Sequence, residues 1–77
     1  MRTIKEIEAG TDYYLTAVFD TGEKRRFDVK PLFEMEVFSS LKDFSYFKQV
    51  ANRGYFIEWP QEQDLSADTI YLEGQPA

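Results

Sequence analysis

The clearest alternation of apolar and polar positions runs from Asp12 to Asp20. Tyr13, Leu15, Ala17 and Phe19 fall on one face with period two, and Tyr14, Thr16, Val18 and Asp20 on the other. Successive strand side chains point to opposite faces, so the spacing predicts a strand with one wholly apolar face toward the core. The mixed second face fits an antiparallel sheet that is wet on one side. Upstream, Ile4 and Ile7 stand among Lys5, Glu6 and Glu8. That spacing predicts a short, bulged edge strand over Thr3–Ala9. Gly10-Thr11-Asp12 marks the turn between the two strands.

A second turn follows at Asp20-Thr21-Gly22-Glu23, where Gly22 supplies the positive φ of a tight hairpin. The chain returns as Lys24–Val29, with Phe27 and Val29 inward and Arg26 and Asp28 outward. Pro31 cannot donate to a ladder and closes this strand. Pro31–Leu41 is apolar without a clear period, which predicts a helical turn through Phe33 and then a loop held on the core by its aromatics. Asp43 reads as an N-cap for a helix over about Phe44–Ala51. Its stripe of Tyr46, Phe47, Val50 and Ala51 is wide enough to lie on a sheet. Gly54 then reads as the left-handed C-cap.

Tyr55–Trp59 predicts a further strand, with Tyr55, Ile57 and Trp59 inward and Phe56 and Glu58 outward. Pro60 ends it, and Gln61-Glu62-Gln63 reads as a polar connection. Ser66 is placed to cap one helical turn over Ala67–Tyr71, and Glu73–Ala77 should fray. These elements predict a single two-layer α+β domain over residues 1–77: a mostly antiparallel β-sheet with one helix packed on one face.

Composition narrows the function classes. The 77 residues contain no cysteine and no histidine, which removes disulfides, thiolate metal sites and the commonest general base. The formal charge of −5 argues against generic binding to nucleic acid or to an anionic membrane. The start, Met-Arg-Thr-Ile-Lys-Glu, lacks the apolar core of a signal peptide, and no apolar run approaches the length of a membrane span. A cytoplasmic protein is expected.

Phe19-Asp20-Thr21-Gly22-Glu23, Phe27-Asp28, Leu32, Val37-Phe38, Leu41, Asp43, Phe47, Val50, Gly54, Ile57, Trp59-Pro60, Asp64-Leu65, Asp68 and Tyr71 occur in a recognisable order. The ordered set resembles a small bacterial family, the domain of unknown function numbered twenty-four forty-two. The resemblance spans nearly the whole chain. It implies an α+β domain with a mostly antiparallel sheet, and it implies no activity, cofactor or catalytic residue. Some similar relatives carry a helix-turn-helix module, for which this chain has no room, and others are encoded beside small toxin-like proteins. Both associations point to regulation or protein binding. Relatives often place Asn-Gly after the Trp-Pro pair, where this chain has Gln61-Glu62. A glutamate tolerates the positive φ of such a turn poorly.

Four groups of residues carry candidate chemistry. Asp64, Asp68 and Glu73 could form an acid–base or metal site, but capping and the helix dipole explain their spacing better. Lys24, Arg25 and Arg26, with Lys30, form a basic patch that alternation would split between two faces. Trp59-Pro60 could dock a peptide, although a lone tryptophan more often anchors a small core. The chain also holds seven Phe, five Tyr and one Trp, more aromatic area than one small core readily takes. Of these, Tyr14 and Phe56 are assigned to the face opposite the helix. Together with Phe33 and Phe38 they make the candidate interaction surface. No Gly-x-Ser-x-Gly elbow, phosphate loop or dinucleotide fingerprint is present. The expected role is a non-enzymatic protein-interaction module, regulatory or antitoxin-like, with a protein partner or a second copy and no cofactor or metal. The alternative is a nucleic-acid accessory domain using Lys24, Arg25 and Arg26.

Overall fold

The computed structural model describes residues 2–77. Three consecutive strands, β1 (Ile4–Ala9), β2 (Tyr14–Phe19) and β3 (Lys24–Asp28), form an antiparallel meander. Two 3-10 helices follow, Lys30–Glu34 and Glu36–Lys42, and lead into α1 (Phe44–Phe47). A second set of short strands comes next: β4 (Ala51–Asn52), β5 (Phe56–Glu58) and β6 (Asp64–Ser66). The helix α2 (Ala67–Glu73) and a two-residue strand β7 (Gln75–Pro76) complete the order. The architecture is α+β, but with two sheets rather than the single one expected: β1-β2-β3-β7 and β4-β5-β6, all antiparallel.

The strand alternation holds where the sequence is clearest. Leu15, Ala17 and Phe19 are buried to the last per cent, and Phe27 and Val29 join them from the third strand. In β1 the register slips between Ile4 and Glu6, placing the predicted bulge at Lys5. The bulge lets both Ile4 and Ile7 face the core despite their odd spacing.

Three hairpin turns repeat one geometry. The bonds Gly22 N–H to Phe19 O (2.8 Å) and Phe19 N–H to Glu23 O (2.8 Å) close a three-residue loop. The same pair of bonds closes Gly10–Tyr14 and Trp59–Gln63. The third loop residue of each turn sits in the left-handed region: Tyr13 at φ 65, Gly22 at φ 91 and Glu62 at φ 74. This loop class favours glycine at that position, and only Gly22 supplies one. Tyr13 is held by its ring, which packs edge-on to Phe33 (5.2 Å) and Phe44 (6.0 Å), and its hydroxyl bonds to the Lys42 carbonyl. Nothing comparable anchors the exposed Glu62.

The predicted helix over 44–51 is shorter than its apolar stripe suggests. Asp43 caps it as expected, accepting from the Ser45 amide (3.0 Å). It ends at Phe47, because Trp59 Nε1 donates to the Phe47 carbonyl (2.8 Å) and the chain beyond Val50 pairs with β5. Gly54 is therefore not a helix cap. It takes φ 85 in the tight turn between β4 and β5, which the Arg53 N–H closes by donating to Phe56 O (2.8 Å). The Pro31–Leu41 segment likewise closes i→i+3 bonds, Leu32 to Val29 and Met35 to Leu32, instead of running as an irregular loop.

The two sheets share one core. Ile4 N–H donates to Gly54 O (2.8 Å) and Asn52 Nδ2 donates to Ile4 O (2.9 Å), which ties the start of β1 to the β4–β5 turn. Trp59 lies 1% exposed, stacked on Phe47 with ring centroids 6.1 Å apart. Gln63 is the buried polar residue of this region, bonded to Tyr46 Oη (2.7 Å) and Ser40 Oγ (2.8 Å), so the stretch read as a polar connection reaches inward. Ser66 caps α2 through the Thr69 amide (3.0 Å). The terminal residues expected to fray pair with β3 instead, with Gln75 opposite Arg26 and Pro76 opposite Arg25. The Ala77 amide bonds to Lys24 O, so Pro76 falls at a position that exchanges no ladder bonds and loses nothing by lacking an N–H.

Candidate functional site

Two adjacent aromatics stand out of the core at the β4–β5 turn. Tyr55 was expected inward, but the left-handed Gly54 puts it in the turn, 57% exposed. Phe56 begins β5 on the outer face of the three-stranded sheet and is 36% exposed. With Arg2, Asp64, Ser66 and Asp68 they line a shallow cleft of about 380 Å3. Asp68 pairs with Arg2 at 3.3 Å, both about half exposed. A pair this wet is worth little and exchanges readily with other partners. Asp64 makes no ion pair among the described residues.

One wall of this region is fixed by a second cluster. The Arg2 guanidinium lies 3.8 Å from the Tyr71 ring centroid and that of Arg25 lies 4.1 Å from it. The Tyr71 ring also meets Phe19 edge-on at 5.4 Å. The Tyr71 hydroxyl donates to Glu23 (2.9 Å). That bond, with help from Arg25, holds the Glu23 carboxyl below its usual range.

The basic patch is divided as the alternation predicts. Arg25 shares the Ala17 side of the sheet, whereas Lys24 and Arg26 stand with Val18 and Thr16 on the other. Arg25 pairs with Glu23 (3.4 Å) and Arg26 with Asp12 (3.2 Å). Lys30 pairs with Asp28 (2.9 Å). Burial alone would raise the Asp28 carboxyl, but the bonds and charge of Lys30 outweigh it and keep Asp28 below its usual range. Lys24 is the member of the patch without an ion pair among the described residues.

The four aromatics read as one interaction surface do not form one. Tyr14 and Phe56 lie in different sheets, so they share no face. Tyr14 is covered by Arg26 (4.1 Å) and Lys30 (4.4 Å) and lines a separate cleft with Leu32 and Gln75. Phe33 and Phe38 are half-buried against the core, while their neighbours Met35 and Val37 are exposed. Trp59 belongs to the core, not to a docking surface. The three acidic candidates are not brought together either. Asp64 and Asp68 line the Tyr55–Phe56 cleft, and Glu73 lines the one beside Tyr14. Tyr55 is the residue that period-two counting misplaced. The Asn52-Arg53-Gly54 signal just before it was there to mark a hairpin turn rather than a helix end.

No helix of the described residues is long and apolar enough to cross a membrane. Residues 4–76 match the family described as "Protein of unknown function (DUF2442)". No curated protein and no solved structure matches the chain.

Proposed function

The chain belongs to this family of proteins of unknown function, and we propose that it acts by binding, as a protein-interaction module that docks a partner on the Tyr55–Phe56 cleft. The observation that carries this reading is the pair of neighbouring aromatics, 57% and 36% exposed, that line one cleft in a chain whose other aromatic rings are buried or half-buried. Exposed aromatics are enriched where interfaces form, because they offer large contact area at small entropic cost. The core next to them is filled instead by Ile57 of β5 and by Trp59 just beyond it. The rim of Arg2, Asp64 and Asp68 gives the apolar floor a polar edge, the usual anatomy of a docking patch.

The test is a binding measurement with partners captured from the native host and then purified. Tyr55→Ser with Phe56→Ser should weaken a captured partner at least about tenfold, as loss of a central aromatic anchor does. Thermal unfolding should stay close to wild type, because both side chains are exposed. Sedimentation at several concentrations identifies the case in which the partner is a second copy. Unchanged partner affinity in the double variant overturns the reading.

A further inference from the structure

The cleft borders a strand edge, and the two together define how a partner would sit. Among the described residues, strand β6 pairs only with β5. The bonds Trp59 N–H to Gln63 O (2.9 Å) and Ala67 N–H to Tyr55 O (2.8 Å) flank the Ile57–Leu65 pair. Residues 63, 65 and 67 therefore face β5, and Asp64 and Ser66 turn their backbone groups the other way. The Ser66 carbonyl opens α2 as its N-cap. That leaves the Asp64 amide, the Asp64 carbonyl and the Ser66 amide aligned along an outer edge. Both residues are exposed. The edge is short and carries one charge, Asp64, with no lysine, proline or bulge within Asp64–Ser66.

Resting on the reading of the cleft as a docking site, we infer that β6 accepts an extended segment of a protein partner as an added strand, with a lysine or arginine opposite Asp64. In an antiparallel pair one partner residue exchanges both of its main-chain bonds with Asp64, and the Ser66 amide binds the carbonyl two residues away. The residue opposite Asp64 projects its side chain on the same face as Asp64 itself, and opposite charges at such directly facing positions stabilise the pair. Phe56 lies opposite Ser66 on that face, two strand spacings or about 10 Å from the added strand, so an apolar residue two positions along leans over the small Ser66 side chain toward the ring. Charge selects the occupant. Asp64 has no ion-pair partner among the described residues, Asp68 is held only by a solvent-exposed arginine, and the chain carries a formal charge of −5. A second copy would bring another such charge to the edge, whereas a basic strand brings the missing one.

The probe is an eight-residue peptide with lysine and valine at alternate positions of one face and threonine at every position between them, followed by amide NMR and hydrogen exchange on the full chain. Its controls are the same peptide with glutamate for lysine, and one N-methylated at the residue that would face Asp64. The lysine peptide should shift the ring signals of Tyr55 and Phe56 and slow exchange at the Asp64 and Ser66 amides. The glutamate and N-methylated peptides should do neither. Asp64→Lys should weaken the lysine peptide about five- to tenfold and favour the glutamate peptide, the swing from an opposite-charge to a like-charge facing pair. Ring shifts without slowed exchange would overturn strand addition and leave the docking site standing. Absence of both with every peptide would overturn strand addition, while the reading of the cleft stands or falls on the partner affinity of the Tyr55→Ser, Phe56→Ser variant. Slowed exchange at Asp64 and Ser66 in the protein alone, rising with its concentration, would make the occupant a second copy and overturn the basic partner.

Discussion

Trp59 is placed to hold the two sheets on one core. Its ring stacks on Phe47 and its Nε1 caps the last carbonyl of α1, so one side chain joins the helix end to the second sheet. Trp59→Ala should cost about 3–5 kcal/mol, the range for deleting a buried large aromatic. For a domain this small that approaches the whole stability. Denaturant unfolding checks it, and a loss under about 1 kcal/mol would place the ring outside the cooperative core. Glu62 offers the opposite case. It occupies the same left-handed turn position as Gly22, at φ 74, with an exposed side chain and no packing to compensate. A left-handed non-glycine residue costs about 1 kcal/mol or slightly more. Glu62→Gly should therefore stabilise the fold by about that amount, raising the denaturant midpoint without changing the slope. The same substitution at Tyr13 should destabilise instead, because that ring is packed among Phe33, Phe44 and Phe47.

Among the elements, those with a strong local signal were legible and those set by a distant contact were not. The period of two in Tyr14–Phe19, the glycine at position 22, and the caps Asp43 and Ser66 each appear where the sequence places them, because each is decided within a few residues. The end of α1 is decided by Trp59, twelve residues on, and no stripe within Phe44–Ala51 reports it. The second sheet is decided by Asn52 and Gly54 meeting Ile4 across forty-eight or more residues. That is also why Tyr14 and Phe56 could be read as sharing a face. The Tyr55–Phe56 cleft was half legible: Phe56 pointed outward from alternation alone, but Tyr55 needed the turn. The C-terminal strand β7 shows the same dependence. A Cβ on Gly74 would come 2.4 Å from the Ile70 carbonyl oxygen and 3.0 Å from that of Arg26. Both are backbone atoms, so the neighbours cannot simply rotate away. Gly74→Ala should separate β7 from β3 and destabilise by about 1–3 kcal/mol, the usual penalty of forced overpacking. Faster amide exchange at Gln75 and Ala77 would report it, and unchanged exchange there would show that the tail does not depend on this close approach.

Over the whole molecule, charge is arranged in pairs rather than in a field. The chain carries nine Lys and Arg against fourteen Asp and Glu. The arginines of the hairpin are further committed to carboxylates and to aromatic rings on opposite sides of one sheet. Non-specific binding to a duplex requires several cations that can reach phosphates together, since affinity comes from the counterions they displace. Lys24 alone of the patch has no ion pair among the described residues, and one lysine displaces too little to matter. Arg25 could join it only by leaving Glu23 and the Tyr71 ring, and Arg26 only by leaving Asp12 and Tyr14. The expected result in gel-shift titration is no binding tighter than about micromolar at physiological salt, the ordinary non-specific range. Lys24→Glu with Arg26→Glu should then change nothing in that assay. Binding below that limit, with a steep dependence on salt and abolished by the two reversals, would mean that the hairpin gives up its ion pairs to phosphate. The patch, and not the Tyr55–Phe56 cleft, would then be the functional surface.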